Sequence, residues 1–199
     1  MLKLLGRKTS GNVQKVLILL EEIGVPYARE DFGRQFQNTA TPDYLALNPT
    51  SKVPTLVDGD VVVWESNTIL RYLAALHASG LAGTTPAERT QVERWMDFVL
   101  AAVNPGYLAA FKGAQLPPAD RAAGYDDAVA DLIAQLKILD GHLTGQSFLA
   151  LGRLTLADIA LGPIIGRCLA FPLDRPAMPA LEAWFSGIAA RPAFKAATA

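Results

Sequence analysis

Between Asn48 and Tyr72 the hydrophobic period changes once, and that change constrains the fold more than any other stretch. Leu56–Asp58 and Val61–Trp64 are β-rich runs on either side of Asp58-Gly59, the dipeptide that most favours a tight hairpin. From Ser66 the pattern turns helical, with Ile69, Leu70, Leu73 and Leu76 on one face. Val53-Pro54 precedes the hairpin, and a proline that cannot donate to a ladder belongs at a sheet edge or bend. A cis bond there would turn the N–H and C=O of Val53 outward, where an extended peptide can pair with them. Glu65-Ser66 stands at the strand-to-helix switch. Free N–H groups and the positive dipole end favour a carboxylate there, while Glu65 can hold an amine.

The chain on either side fits two halves. Leu2–Leu5 suits a buried strand, Gly6–Gly11 a loop, and Val13–Ile23 a helix stopped by Gly24 and Pro26. Tyr27–Phe32 reads as a second strand, Gly33–Ala40 as an irregular loop and Pro42–Leu47 as a short helix. The order over residues 1–79 is βαβαββα, and its strand–helix–strand start implies a parallel pair with a right-handed crossover. Gly80–Thr84 is the linker. Thr85-Pro86-Ala87-Glu88 is a capping box with proline at the first helical position. The helix it opens carries Val92, Trp95, Met96, Val99 and Val103, and Asn104-Pro105-Gly106 is expected to end or kink it. Further helices are expected over Asp126–Leu143, after the Thr155/Asp158 cap, and around Leu181, Trp184, Phe185 and Ile188. No strand follows the linker, so residues 85–199 form an all-helical domain. The fold class is an α/β half followed by an all-α half.

With 199 residues the chain can build two small cores. A net charge of −1 argues against a polyanion-binding surface, hence against nucleic acid. The first residues lack a signal-peptide pattern, and no apolar run approaches the ~20 residues of a membrane span. Cys168 is the single cysteine, a small buried residue by expectation, and no Cys/His cluster suits a metal. The expectation is a cytoplasmic protein with no metal, cofactor or membrane partner.

Asn-Pro-x-x-Lys-Val-Pro-x-Leu-x-Asp-Gly followed by Glu-Ser-x-x-Ile-Leu-x-Tyr-Leu, here Asn48–Leu73, resembles the glutathione transferase family. Weaker matches are Asn12-Val-Gln-Lys-Val-Leu, Leu154–Gly162 and Arg191-Pro-Ala-Phe194, so the resemblance spans nearly the whole chain. It implies a thioredoxin-like domain, a helical domain, a homodimer and a role in detoxification. It also identifies the peptide: the Val53 clamp, the anion seat at Ser66 and the Glu65 carboxylate suit the γ-glutamyl end of glutathione.

A free thiol has a pKa near ~8.5, so glutathione needs about 2.7 kcal/mol of thiolate stabilisation to ionise two units lower. Thr9-Ser10-Gly11-Asn12, just before the first helix, can supply donors. Serine-type members of the family carry their hydroxyl at the position of Ser10, and a bacterial subgroup has asparagine at that of Asn12. The resemblance therefore makes Ser10 a donor to the thiolate and Asn12 a second. Thr9 is the rival, and a plain helix N-cap is the other reading of Ser10. Lys52 is either a partner of the glycyl carboxylate or a solvated lysine, and Gln37 or Asn38 is a further glycyl contact. Tyr107 and Phe111 are candidate walls for a small hydrophobic electrophile, or else core. The leading function is conjugation of glutathione to such electrophiles. The alternatives are glutathione-dependent disulfide or peroxide reduction, and a non-catalytic glutathione-binding or protein-interaction module. A cysteine at the Ser10 position would have marked thiol transfer, and its absence favours thiol activation.

Overall fold

Leu2–Leu5 forms β1, an inner strand of a four-stranded sheet, and only Lys3 within it reaches solvent, paired with Glu30 at 2.9 Å. The computed structural model describes residues 1–199. The sheet order is β2-β1-β3-β4, with β2 at Tyr27–Glu30, β3 at Thr55–Asp58 and β4 at Val61–Trp64. β1 and β2 are parallel, Leu2 opposite Tyr27. β3 runs antiparallel to both β1 and β4, with Leu56 opposite Leu4 and Val63. Asp58 pairs with Val61, so the two-residue hairpin loop is Gly59-Asp60, one residue on from the Asp58-Gly59 dipeptide that marks the hairpin in the sequence.

Helix α1, Gly11–Ile23, joins β1 to β2 and is buried on all sides from Val13 to Leu20. It ends where Gly24 takes a left-handed backbone and donates its N–H to Leu20. Helix α2 is Pro42–Leu47 and helix α3 is Ser66–His77, which buries Ile69, Leu70, Leu73 and Ala74. The last helix of the chain, α9 at Pro192–Thr198, packs on α1. Arg191 grips Glu22 with two hydrogen bonds, Nε to Oε1 at 2.6 Å and Nη2 to Oε2 at 2.8 Å. Ala190–Ala199 therefore belongs to the sheet-bearing unit, Met1–Ala82, while Gly83–Ala189 forms the second unit. This differs from the expectation of one helical domain over residues 85–199.

The second unit is entirely helical: α4 at Pro86–Phe98, α5 at Asn104–Gly113, α6 at Tyr125–Leu143, α7 at Leu156–Ala170 and α8 at Pro179–Ala189. Thr85 caps α4 by accepting from the Glu88 N–H at 3.2 Å, while Glu88 reaches back to the N–H and hydroxyl of Thr84 at 2.7 Å. Asn104-Pro105-Gly106 does not terminate this stretch. A π turn over Val99–Val103 leads straight into α5 and leaves Pro105 in a first helical turn, where no N–H is required of it. Gly106 lets α5 and α6 close on each other, since a Cβ there would lie 2.6 Å from Leu132 Cβ. The core is fastened around Asp158, which has no exposure. Its carboxylate accepts from the Leu149, Thr155 and Trp184 N–H groups at 2.9 Å and from the Thr155 hydroxyl at 3.1 Å. No helix of the chain is long and apolar enough to cross a membrane.

Candidate active site

The mouth of α1 is built by the loop after β1. Gly6 and Arg7 extend the pairing past β1, donating to Glu30, the last residue of β2, and to Phe32 beyond it at 2.8 and 3.1 Å. The Ser10 N–H donates to the Arg7 carbonyl at 3.1 Å, and the Ser10 carbonyl accepts the Gln14 N–H at 2.9 Å. Ser10 is thus the N-cap residue, with φ −81° and ψ 125°, yet its side chain makes no capping hydrogen bond. Ser10 as a residue is 8% exposed, and its hydroxyl is uncommitted to the helix.

Opposite this mouth stands the corner before β3. The Val53–Pro54 peptide bond is cis. Two side chains brace it from behind. The Tyr44 hydroxyl donates to the Lys52 carbonyl at 2.5 Å and lies 2.9 Å from Thr55 Oγ. The Asn48 amide donates to the same two oxygens at 3.0 and 2.9 Å, and its own carbonyl accepts from Thr50 N and Oγ. Asn48, Tyr44 and Thr55 are all buried, so the leading asparagine of the motif is a structural brace.

A cavity of about 240 Å³ lies between mouth and corner. It brings together Ser10, Asn12, Lys52 and Val53 among the residues singled out in the sequence. Arg7, Arg34, Thr39 and Ser51 also line it, and the sequence reading missed them. The signal available for the arginines was their place in the two loops that flank Ser10 and precede Lys52. Gly33 belongs to the lining too, at φ +87°; a Cβ there would come 2.9 Å from the Arg7 guanidinium and 3.4 Å from Val53. The left-handed backbone at that position favours glycine.

Pro54, Glu65, Ser66, Gln37 and Asn38 do not line this cavity. Asn38 spends its amide on the loop, accepting from Gly33 N and donating to Asp31 O, each at 3.0 Å. Gln37 is exposed, with φ 50°. Glu65 precedes α3 with φ 68° and an exposed side chain, and Ser66 opens the helix at 3% exposure. A buried charge went unnoticed in the sequence: Lys15 of α1 is 1% exposed. Burial pulls its ammonium down to about 8, and the Glu65 carboxylate opposes that fall.

In the helical unit Tyr107 and Phe111 stand 6.0 Å apart, ring centre to ring centre. Tyr107 also stacks on Phe171 at 6.0 Å and accepts from Arg167 Nη1 at 3.3 Å. Cys168 is fully buried, and burial pushes its thiol up to about 12, so it is no nucleophile at neutral pH.

A thioredoxin-like half with a cis-proline corner, a polar cavity beneath an uncommitted serine hydroxyl and a separate helical half together have the architecture of a glutathione transferase. Sequence comparison agrees. Family models described as the N-terminal and C-terminal domains of glutathione S-transferase match residues 9–76 and 94–192. The chain is 34% identical over 200 residues to glutathione S-transferase GstB of Escherichia coli (strain K12), covering 98% of this chain and 96% of that one. Its fold is similar to the crystal structure of a theta class glutathione S-transferase from Xanthomonas axonopodis pv. citri with glutathione bound. There the TM-score is 0.92 and the identity 39%, over 99% of this chain and 96% of that one. Elongation factor 1-gamma of Prunus avium is 36% identical over 159 residues, which is 76% of this chain and 36% of that protein. The chain belongs to the glutathione S-transferase family.

Proposed function

We propose that the protein ionises glutathione at Ser10 and delivers the thiolate to small hydrophobic electrophiles. The observation that carries this reading is the Ser10 hydroxyl: it sits at a helix mouth inside a polar cavity and makes no capping bond. Asn12 is the second donor, and the positive end of α1 adds to both. The Val53 backbone pairs with the cysteinyl residue and Pro54 holds that corner. Lys52, with Arg7 and Arg34 on the same cavity, takes the glycyl carboxylate, which leaves Gln37 and Asn38 a supporting part in the loop. Ser66 receives the γ-glutamyl carboxylate on its N–H, and Glu65 receives the amine. Tyr107 and Phe111 form the electrophile's wall, joined by Phe171. The protein acts as a cytoplasmic homodimer in detoxification, and Val61, Trp64 and Leu76 are exposed apolar residues on β4 and α3 available for pairing.

The similarity to elongation factor 1-gamma supports a second reading, a binding module without chemistry. A module has no need of Ser10 and Asn12 together on one cavity. Calorimetric titration with glutathione, then turnover of an aryl halide, an isothiocyanate, an organic peroxide and hydroxyethyl disulfide, separates the readings. Heat and conjugation are expected. Heat without turnover means the module, turnover of peroxide or disulfide alone means the reductase, and no heat ends both enzyme readings.

A further inference from the structure

The cavity at the mouth of α1 carries more positive charge than glutathione can use. Arg7, Arg34 and Lys52 line it together with Ser10, Asn12, Thr39 and Ser51, and no aspartate or glutamate does. Any counter-charge inside it therefore has to come from what binds there. Glutathione brings two at this end, the glycyl carboxylate and the ionised sulfur. Arg34 and Lys52 stand with Thr39 and Ser51 on the loops before and after α2, at the glycyl end. Arg7 enters the cavity from the other side, on the turn that carries Ser10. Its N–H donates to Phe32 and its carbonyl accepts from the Ser10 N–H, each at 3.1 Å. Arg29 holds the preceding carbonyl, that of Gly6, at 3.0 Å. The Arg7 guanidinium lies against Gly33, where an added Cβ would come 2.9 Å from Nη1. A third cation is thus fixed beside the reacting sulfur, which Ser10 and Asn12 already serve.

We propose that Arg7 is a specificity-determining residue, selecting electrophiles that carry a carboxylate beside the reactive carbon, as an α-haloacid does. This rests on the reading of Ser10 as the residue that ionises glutathione. The planar fork of the guanidinium matches both oxygens of such a carboxylate, and the carbon next to it is brought to the sulfur. The electron pair of the thiolate forms the sulfur–carbon bond as the carbon–halogen bond breaks. The halide leaves with its bonding pair, and the proton of the thiol has already gone to water. An anionic electrophile and a thiolate otherwise repel each other, and Arg7 offsets that repulsion. A round cavity of about 240 Å³ is about 8 Å across, and one charge acting over such a distance in a partly wet site changes a rate by about tenfold.

The test uses iodoacetate and iodoacetamide, which share the reactive carbon and the leaving group and differ in charge. The readout is the ratio of their kcat/KM values, divided by the ratio of their uncatalysed rates with glutathione. Cys168 takes no part, being buried with its thiol pushed up to about 12. The wild-type protein is expected to raise the ratio about tenfold. Arg7→Met should return it to within about twofold of the uncatalysed value, while Arg7→Lys keeps most of the preference. Any effect of either substitution on glutathione binding falls on both reagents alike and cancels. Sodium chloride at ~0.5 M should lower the wild-type ratio about threefold or more, a measurement that needs no variant to fold. A wild-type ratio equal to the uncatalysed one overturns the proposal, as does a preference that survives Arg7→Met or salt. So does an equal fall with Lys52→Met, which would make the preference a property of the whole cavity. Turnover of iodoacetamide without any preference leaves the role of Ser10 standing, whereas turnover of neither reagent removes the reading on which the proposal rests.

Discussion

Replacing Ser10 with alanine separates a catalytic hydroxyl from a helix cap, because the structure assigns the two roles different costs. An N-cap serine that holds its helix loses about 0.5–2 kcal/mol on conversion to alanine. Ser10 makes no capping bond, so Ser10→Ala is expected to move Tm by no more than about 2 °C. A hydrogen bond to a thiolate contributes about 1.5–3 kcal/mol, and losing about 2 kcal/mol of it raises the pKa of bound glutathione by about 1.5 units. If the wild-type complex ionises near ~6.5, the variant ionises near ~8, and the thiolate fraction at pH 6.5 falls from about a half to about 3%. The rate should drop roughly fifteenfold at pH 6.5 and converge on the wild-type value above about pH 9. Ultraviolet titration of the bound thiolate and the pH profile of kcat/KM report the same shift independently. The reasoning is refuted by an unchanged thiol pKa, and a Tm loss of several degrees alongside that result would make Ser10 a cap.

Three further outcomes follow from side chains already described. Asp158→Ala strips four hydrogen bonds from a carboxylate with no exposure and leaves buried N–H groups unpaired; a loss of about 4 kcal/mol and a Tm lower by about 10 °C or more are expected by calorimetry. A shift under about 3 °C would mean that the network carries little. Tyr44→Phe removes one of two braces on the Lys52 carbonyl, so about 1–2 kcal/mol of stability and about fivefold in glutathione affinity should be lost, because Asn48 still holds the same oxygen. The Lys15 ammonium is depressed from 10.5 to about 8 in the fold. Between those values the unfolded chain binds the extra proton, so stability from this group rises with pH. Lys15→Met should therefore be the more stable protein at pH 7, and its margin over wild type should shrink by about 3 kcal/mol from pH 8 to pH 10.5 in denaturant melts. A margin independent of pH would place the charge in water.

The sheet half was legible because its signals are local. Asp58-Gly59 sets the hairpin, the change of period at Ser66 marks α3, and Gly24 with Pro26 closes α1. The motif around Lys52 to Ser66 drew attention to Lys52 and Val53, which line the cavity, and to Pro54, Glu65 and Ser66, which lie outside its lining. Asn48 hid its role, since its contacts with Lys52, Thr55 and Thr50 are apparent only once the loop has closed. Lys15 hid in the same way: a lysine within a helix reads as solvated until the helix that carries it is packed on all sides. The fold-back of residues 190–199 depends on Arg191 and Glu22, 169 positions apart, and no local pattern reports such a pair. Pro105 misled for a different reason. A missing N–H stops a helix only where that N–H is required, and the wide turn before it removed the requirement.

That wide turn has a consequence for how such proteins diverge. Five residues, Val99–Val103, take the place of a regular turn between α4 and α5. Each residue of an α-helix advances the side chains by about 100°. Deleting one residue there would tighten the turn and swing Tyr107 and Phe111 a quarter-circle or more about the axis, with Pro105 then placed in mid-helix. A single lost codon could thus rotate which rings the helix displays, while the serine-bearing half stayed as it was.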